Sequence, residues 1–316
     1  MLFTIDRLQI IDDRLIAFEF FNVDVEKSNE LFIKRKISEI QKFVGNGIDE
    51  FYYIRHSGDY SSFEVSKNGE KPKQLNFEVF STWFLDLNGS ASSGEQSSKE
   101  LGSVRNDNID NFVSSILNEI YQEEFDGIDF SVDDNGLGLV KQVLGQAKKP
   151  TFGFDADIFS SNYGIIIEFL KRQNIHVTNL TAHPARYTKN KNKFISLWKA
   201  AEKLYIKRHR LGLINYSDSA EEEIGLIAVR EFDTDIQNAK MNLDELAFVL
   251  TDRDDLVRFL VTLDSDIDKG NQYLENKALE IRNRDFFEEV YDEQHFASYN
   301  KWNCKKIGEN YSKKKR

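Results

Sequence analysis

A short apolar run that ends in two acids, one residue apart, sets the tightest limit on how this chain can fold. It lies in the stretch from Lys149 to Leu180, KPTFGFDADIFSSNYGIIIEFLKRQNIHVTNL. Phe152 and Phe154 lead into Asp155 and Asp157, and Ser160, Ser161 and Asn162 form a loop. Gly164 to Arg172 carries the apolar spacing of a helix, and Ile175 to Leu180 reads as a second strand. Strand, acidic tip, helix and strand make a βαβ unit. In open α/β sheets ligands collect where strands end and helices begin. The expected fold class is therefore α/β of the mixed α+β kind. It combines an N-terminal antiparallel-sheet unit, this central βαβ-type unit and a mainly helical, acidic C-terminal part.

Period-two runs place strands at Thr4 to Ile10 and Arg14 to Val23, joined at Asp12-Asp13. Glu30 to Val44 has helical spacing with Gly45 as its stop. Phe51 to Arg55 and Ser62 to Ser66 flank the turn-forming HSGDYS, and the aromatic run Leu75 to Leu87 reads as a further strand. Residues 1–88 thus make a small α+β domain. Residues 89–108, mostly Ser, Gly, Asn and charge, make a linker or loop. Residues 109–316 form an α/β domain with a helical C-terminal extension. It starts with the most regular helix in the chain, Ile109 to Tyr121, and continues with a strand at Ile128 to Val132 and a helix at Leu137 to Gln146. Ile224 to Val229 reads as a last strand, and Leu243 to Leu250, Asp254 to Leu263 and Gln272 to Tyr291 read as helices. No internal repeat is legible.

Composition narrows the function classes. A net charge of −11 argues against a general polyanion binder, though not against a local basic face. One cysteine, Cys304, allows neither an internal disulfide nor a cysteine-based metal site. The stretch MLFTIDRLQIIDDR lacks the basic and continuous apolar regions of a signal peptide, so it is not expected to act as one, and no run reaches the ~18–20 apolar residues of a membrane span. Cytoplasmic placement and no membrane span are the expectations.

Asp155 and Asp157 are two residues apart on a strand, so both carboxylates share one side and could hold Mg²⁺ or Mn²⁺. A metal there would polarise a phosphoryl group. Strand, D-x-D and amphipathic helix resemble the first motif of haloacid-dehalogenase-type phosphatases. Phe159, however, stands where that motif has Thr or Val. Asp155, Glu168 and Lys171 resemble the metal-gathering residues of restriction-type nucleases, which need their E-x-K on a strand. Either resemblance implies a phosphoryl-transfer hydrolase. The plain alternative is that both aspartates cap the next helix and face water. His183, before Pro184, is a candidate proton carrier near the same sheet edge. Asp264, Asp266 and Asp268 alternate as in calcium loops but lack the glycine at the sixth position, and read as a loop at a helix end.

The stretch from Arg186 to Arg210 holds nine bases (Arg186, Lys189, Lys191, Lys193, Lys199, Lys203, Lys207, Arg208 and Arg210) against one acid, Glu202. Such a basic helix fits phosphates of a nucleic acid, or an acidic protein surface. The acidic region 215–293 could equally cover it from within. Three function classes follow. The first is a non-catalytic binding or assembly subunit that uses the basic helix and pairs with a protein partner or with itself. The second is a Mg²⁺- or Mn²⁺-dependent nuclease or phosphatase at Asp155 and Asp157. The third is an acidic inhibitory protein that binds a basic partner near Glu221 to Glu223 or Asp264 to Asp268.

Overall fold

The computed structural model describes residues 1–89, 111–144, 153–171, 179–180, 191–204, 211–217, 223–232 and 243–279, apart from 12, 27, 28, 126, 127, 129 and 131–135. Among the described residues eleven strands form one continuous sheet with helices on both sides, so the fold is mixed α+β. In chain order the strands are β1 (Leu2–Ile11), β2 (Arg14–Asn22), β3 (Glu50–His56), β4 (Phe63–Lys67), β5 (Lys73–Leu75), β6 (Gly153–Ser160), β7 (Ile165–Lys171), β8 (Leu211–Tyr216), β9 (Ile224–Phe232), β10 (Leu243–Leu250) and β11 (Ala278–Leu279). The helices are α1 (Glu30–Gln41), α2 (Phe77–Gly89), α3 (Asn111–Tyr121), α4 (Gly136–Leu144), α5 (Lys191–Leu204), α6 (Arg253–Ser265) and α7 (Ile267–Leu274). The spatial strand order is β11-β10-β9-β8-β7-β6-β1-β2-β3-β4-β5.

The first half begins with an antiparallel hairpin, β1–β2, closed at Asp13, whose φ of 63° an aspartate tolerates. Helix α1 then crosses over to β3, which runs parallel to β2, and β4 and β5 return antiparallel. The N-terminal unit is therefore not purely antiparallel, because a helix between two neighbouring strands returns the chain in the same direction. The second half follows the same path. An antiparallel hairpin, β6–β7, leads through α5 to the parallel strand β8, with β9 and β10 antiparallel beyond it. The halves join where β1 pairs antiparallel with β6.

Alternate residues of the strands serve two cores. On one side Phe18, Phe20, Ile54 and Phe63 pack against Phe80 and Phe84 of α2 and Leu139 and Val143 of α4. The larger cluster on the other side joins Leu8, Ala17 and Phe21 to α1, α3, α5 and α6. The described phenylalanines are buried or partly buried: the large apolar side chains exposed among the described residues are Val25, Leu31, Val79, Leu246 and Val261. In the β6–β7 turn Gly164 has φ +67°, and a Cβ there would collide with the Leu204 carbonyl at the end of α5.

Several elements differ from their sequence expectation. Gly164 to Arg172 is not a helix; its β-branched core, Ile165–Lys171, is the strand β7. The βαβ unit is thus displaced along the chain and consists of β7, α5 and β8. The aromatic run after Leu75 is the helix α2, because Phe77, Phe80 and Phe84 recur at helical spacing and the Asn76 side chain accepts the Val79 N–H at 2.9 Å. Leu243–Leu250 is built from good helix formers, yet eight residues of it pair with β9. A sheet edge seeking a partner overrides local propensity there. The helix expected from Gln272 ends within its first residues, since α7 stops at Leu274 and β11 begins at Ala278. Helices α3, α4 and α6 and strand β9 stand where periodicity places them. The strand expected at Ile128 to Val132, most of the second strand expected at Ile175 to Leu180, and the proposed linker lie outside the described residues. Among the described residues, no helix is long and apolar enough to cross a membrane.

Candidate functional site

Asp155 and Asp157 sit in the body of β6 rather than at its tip, and no helix follows for them to cap. Asp157 is 3% exposed, and its Oδ2 accepts the Phe169 N–H of β7 at 2.7 Å. Glu168, one residue earlier on β7, is fully buried and makes an ion pair with Lys193 of α5 through its Oε1. Hairpin and crossover helix thus gather two acids and a lysine. Glu168 is on a strand after all, but its lysine partner is Lys193 and not Lys171, which ends β7.

The first half builds the same constellation. Asp6 Oδ2 accepts the Phe20 N–H of β2 at 2.7 Å. Glu19, the residue before Phe20, lies 2.6 Å from Lys36 Nζ of α1. Lys36 is also 3.7 Å from Asp6 and 3.3 Å from the Thr4 hydroxyl, to which it donates. Glu19 Oε1 further accepts the Asp6 N–H at 3.1 Å. Burial of an ion pair is tolerated when the remaining lone pairs and protons are hydrogen-bonded, and the three hydrogen bonds with the Phe20 N–H, the Thr4 hydroxyl and the Asp6 N–H contribute to that. Lys36 is wholly buried, whereas the Lys193 side chain is 25% exposed.

Sequence reading found Asp157, Glu168 and Lys193 separately and missed Asp6, Glu19 and Lys36. The available signal was the pair of echoes Phe3-x-x-Asp6 with Glu19-Phe20 and Phe154-x-x-Asp157 with Glu168-Phe169. Asp155 takes the place that Thr4 holds in the first copy. It lies in the field of Arg7 on neighbouring β1, whose pKa burial lowers to about 10 while Asp155 acts to raise it.

Helix α5 is a crossover helix rather than a surface one. Phe194, Leu197, Trp198, Ala201 and Leu204 are buried, Lys199 and Lys203 are half-buried, and Glu202 is exposed. Lys203 lies 3.8 Å from Asp49, so part of the basic stretch faces the protein's own acids. Lys191 opens the helix. Arg186, Lys189, Lys207, Arg208, Arg210 and His183 lie outside the described residues, as do Glu221 and Glu222.

The third acidic cluster is structural in its contacts. Asp264 is 2.7 Å from the Met1 amino group and accepts the Ser160 hydroxyl at 2.7 Å. Asp266 caps α7 by accepting the N–H groups of Asp268 and Lys269. Among the described residues, no group of three or more His, Cys, Asp or Glu side chains is placed to hold a metal ion.

No family model, curated protein or solved structure matches the chain.

Proposed function

We propose that the protein is a non-catalytic binding or assembly subunit that contacts nucleic acid or an acidic protein through the basic stretch from Arg186 to Arg210. One observation carries this reading. The acids and lysine that could have formed a reactive site, Asp157, Glu168 and Lys193, repeat an arrangement that the first half holds in sealed form. A constellation that works as a buried clamp in one half is an architectural part, fixing a crossover helix to its hairpin. The net positive charge of the stretch, nine bases against Glu202, supports a phosphate-rich or acidic partner.

A gel-shift experiment tests it. Labelled single- and double-stranded DNA and RNA are incubated with the protein at low and moderate salt, with Mg²⁺ or Mn²⁺ and with EDTA. The expected result is a salt-sensitive shift without cleavage, weakened by Lys199→Glu combined with Lys207→Glu. Binding of an acidic protein instead of nucleic acid would leave all probes unshifted, and pull-down with an acidic protein would then depend on the same two lysines.

A metal-dependent phosphoryl-transfer hydrolase is the second reading. It is favoured by the partial exposure of Lys193, the one member of the second cluster that water reaches, beside the buried acids Asp157 and Glu168. Metal-dependent cleavage of any probe that disappears in Asp157→Asn, with the fold retained, would establish this reading and displace the first.

A further inference from the structure

The charged residues give an alignment of the two halves: Asp6 corresponds to Asp157, an offset of 151 positions in the first strand of each half. The pairing of β1 with β6 supplies an independent check, because its register owes nothing to that alignment. Under the same offset Ile5 corresponds to Ala156, and these two residues face each other. Phe3 corresponds to Phe154 and Leu8 to Phe159; the observed pairs are Phe3 with Phe159 and Leu8 with Phe154. Leu2 corresponds to Gly153 and Gln9 to Ser160; the observed pairs are Leu2 with Ser160 and Gln9 with Gly153. Every contact is returned by its counterpart, and the register shifts fall on both sides of the Ile5–Ala156 pair. That reciprocity defines an isologous, twofold interface. The chain path agrees, since both halves run hairpin, crossover helix, parallel strand and two antiparallel strands. Helices α1 and α5 also share one core cluster on one side of the sheet.

We infer that the chain is a tandem duplicate of one ββαβββ unit, and that the β1 edge with its flanking core is a pairing surface whose partner is a second copy of that unit. Here the C-terminal half is that copy. A pseudo-twofold axis passes between Ile5 and Ala156. The clamp lysine is wholly buried in the first half and 25% exposed in the second, where Asp155 stands at the position of Thr4. This inference is independent of the binding reading, because it concerns how the halves meet and not what they bind.

The test uses the full-length protein with a protease site inserted between Lys148 and Lys149, cut after folding. Light scattering on the cut protein is expected to give one particle holding both pieces. Unfolding in urea followed by refolding is expected to restore it. Ile5→Pro and, at the counterpart position, Ala156→Pro, each made in the full-length protein before cutting, are expected to release the two pieces alike, because each breaks the same seam from opposite sides. Pieces that separate on cutting without either substitution, or that are released by only one of the two, would overturn the duplicate reading.

Discussion

Ile5 and Ala156 face each other where β1 meets β6, and both are fully buried. They are counterparts in the two halves, so the seam between the halves is centred on a position paired with its own equivalent. A large residue opposite a small one fills the space that two equal residues would share. Ile5→Ala alone is expected to cost about 2–5 kcal/mol, and Ala156→Ile alone about 1–3 kcal/mol through overpacking. The double exchange conserves volume and is expected to recover most of the loss. Urea unfolding of the four proteins as a double-mutant cycle measures the coupling, and simple additivity would show that the two side chains do not share one space.

The clamps differ in exposure, and so should their energetics. Lys36→Met leaves Asp6 and Glu19 buried without their ammonium and is expected to cost about 3–5 kcal/mol. Lys193→Met, at a side chain that water reaches, is expected to cost less, about 1–2 kcal/mol. Midpoints of chemical denaturation for the two variants decide this, with equal losses being the contrary result.

His56 ends β3, is 1% exposed and makes a 2.9 Å hydrogen bond from Nδ1 to the Ser57 carbonyl. Burial lowers its pKa, against the smaller upward pull of the Ser57 carbonyl and Asp24. The unfolded chain therefore takes up a proton at a pH where the folded one resists it. Stability from this group is complete above the ordinary histidine pKa of ~6.5 and declines as pH falls from there toward the lowered folded value. His56→Phe, set beside Tyr60 and Phe63, is expected to flatten that decline. Melting temperature against pH for both proteins gives the answer, and parallel curves would remove His56 from the explanation.

Asp255 joins α6, α7 and the chain beyond. Burial alone would raise its pKa, but Lys277 at 2.6 Å, the Tyr273 hydroxyl and the Thr251 N–H at 3.0 Å outweigh it and bring the value down to about 2. This contribution is present above the unfolded aspartate value and is lost as pH falls through the folded one. Asp255→Asn is expected to cost about 2 kcal/mol at neutral pH. The same substitution should weaken the acid dependence between pH 4 and 2, which acid titration followed by circular dichroism would detect.

Gly164→Ala places a Cβ on a positive φ and against the Leu204 carbonyl. A loss of about 1–3 kcal/mol is expected, seen as a lower melting temperature. An unchanged value would mean that the β6–β7 turn and the end of α5 move apart at little cost.

The sequence by itself determined those elements whose own pattern is strong. Helices α3 and α6 and strands β1, β2 and β9 follow from apolar periodicity and their turn and cap residues, which act within a few positions of the chain. Ile165–Lys171 and Leu243–Leu250 were not decided locally. Each became a strand because a neighbouring strand offered a ladder of unpaired backbone groups: the preceding strand β9 for Leu243–Leu250, and β6 together with the more distant β8 for Ile165–Lys171. The candidate site divides in the same way. Asp157 and Glu168 were legible as acids in an apolar setting. Their match to Asp6 and Glu19 stands in the sequence as an echo, but their union with Lys193, and that of Asp6 and Glu19 with Lys36, arises only when each crossover helix lies over its own hairpin. Residues so far apart in sequence carry no mutual signal except through the packing that brings them together. The tertiary structure alone therefore decided that the acids close on lysines and that the chain meets itself at Ile5 and Ala156.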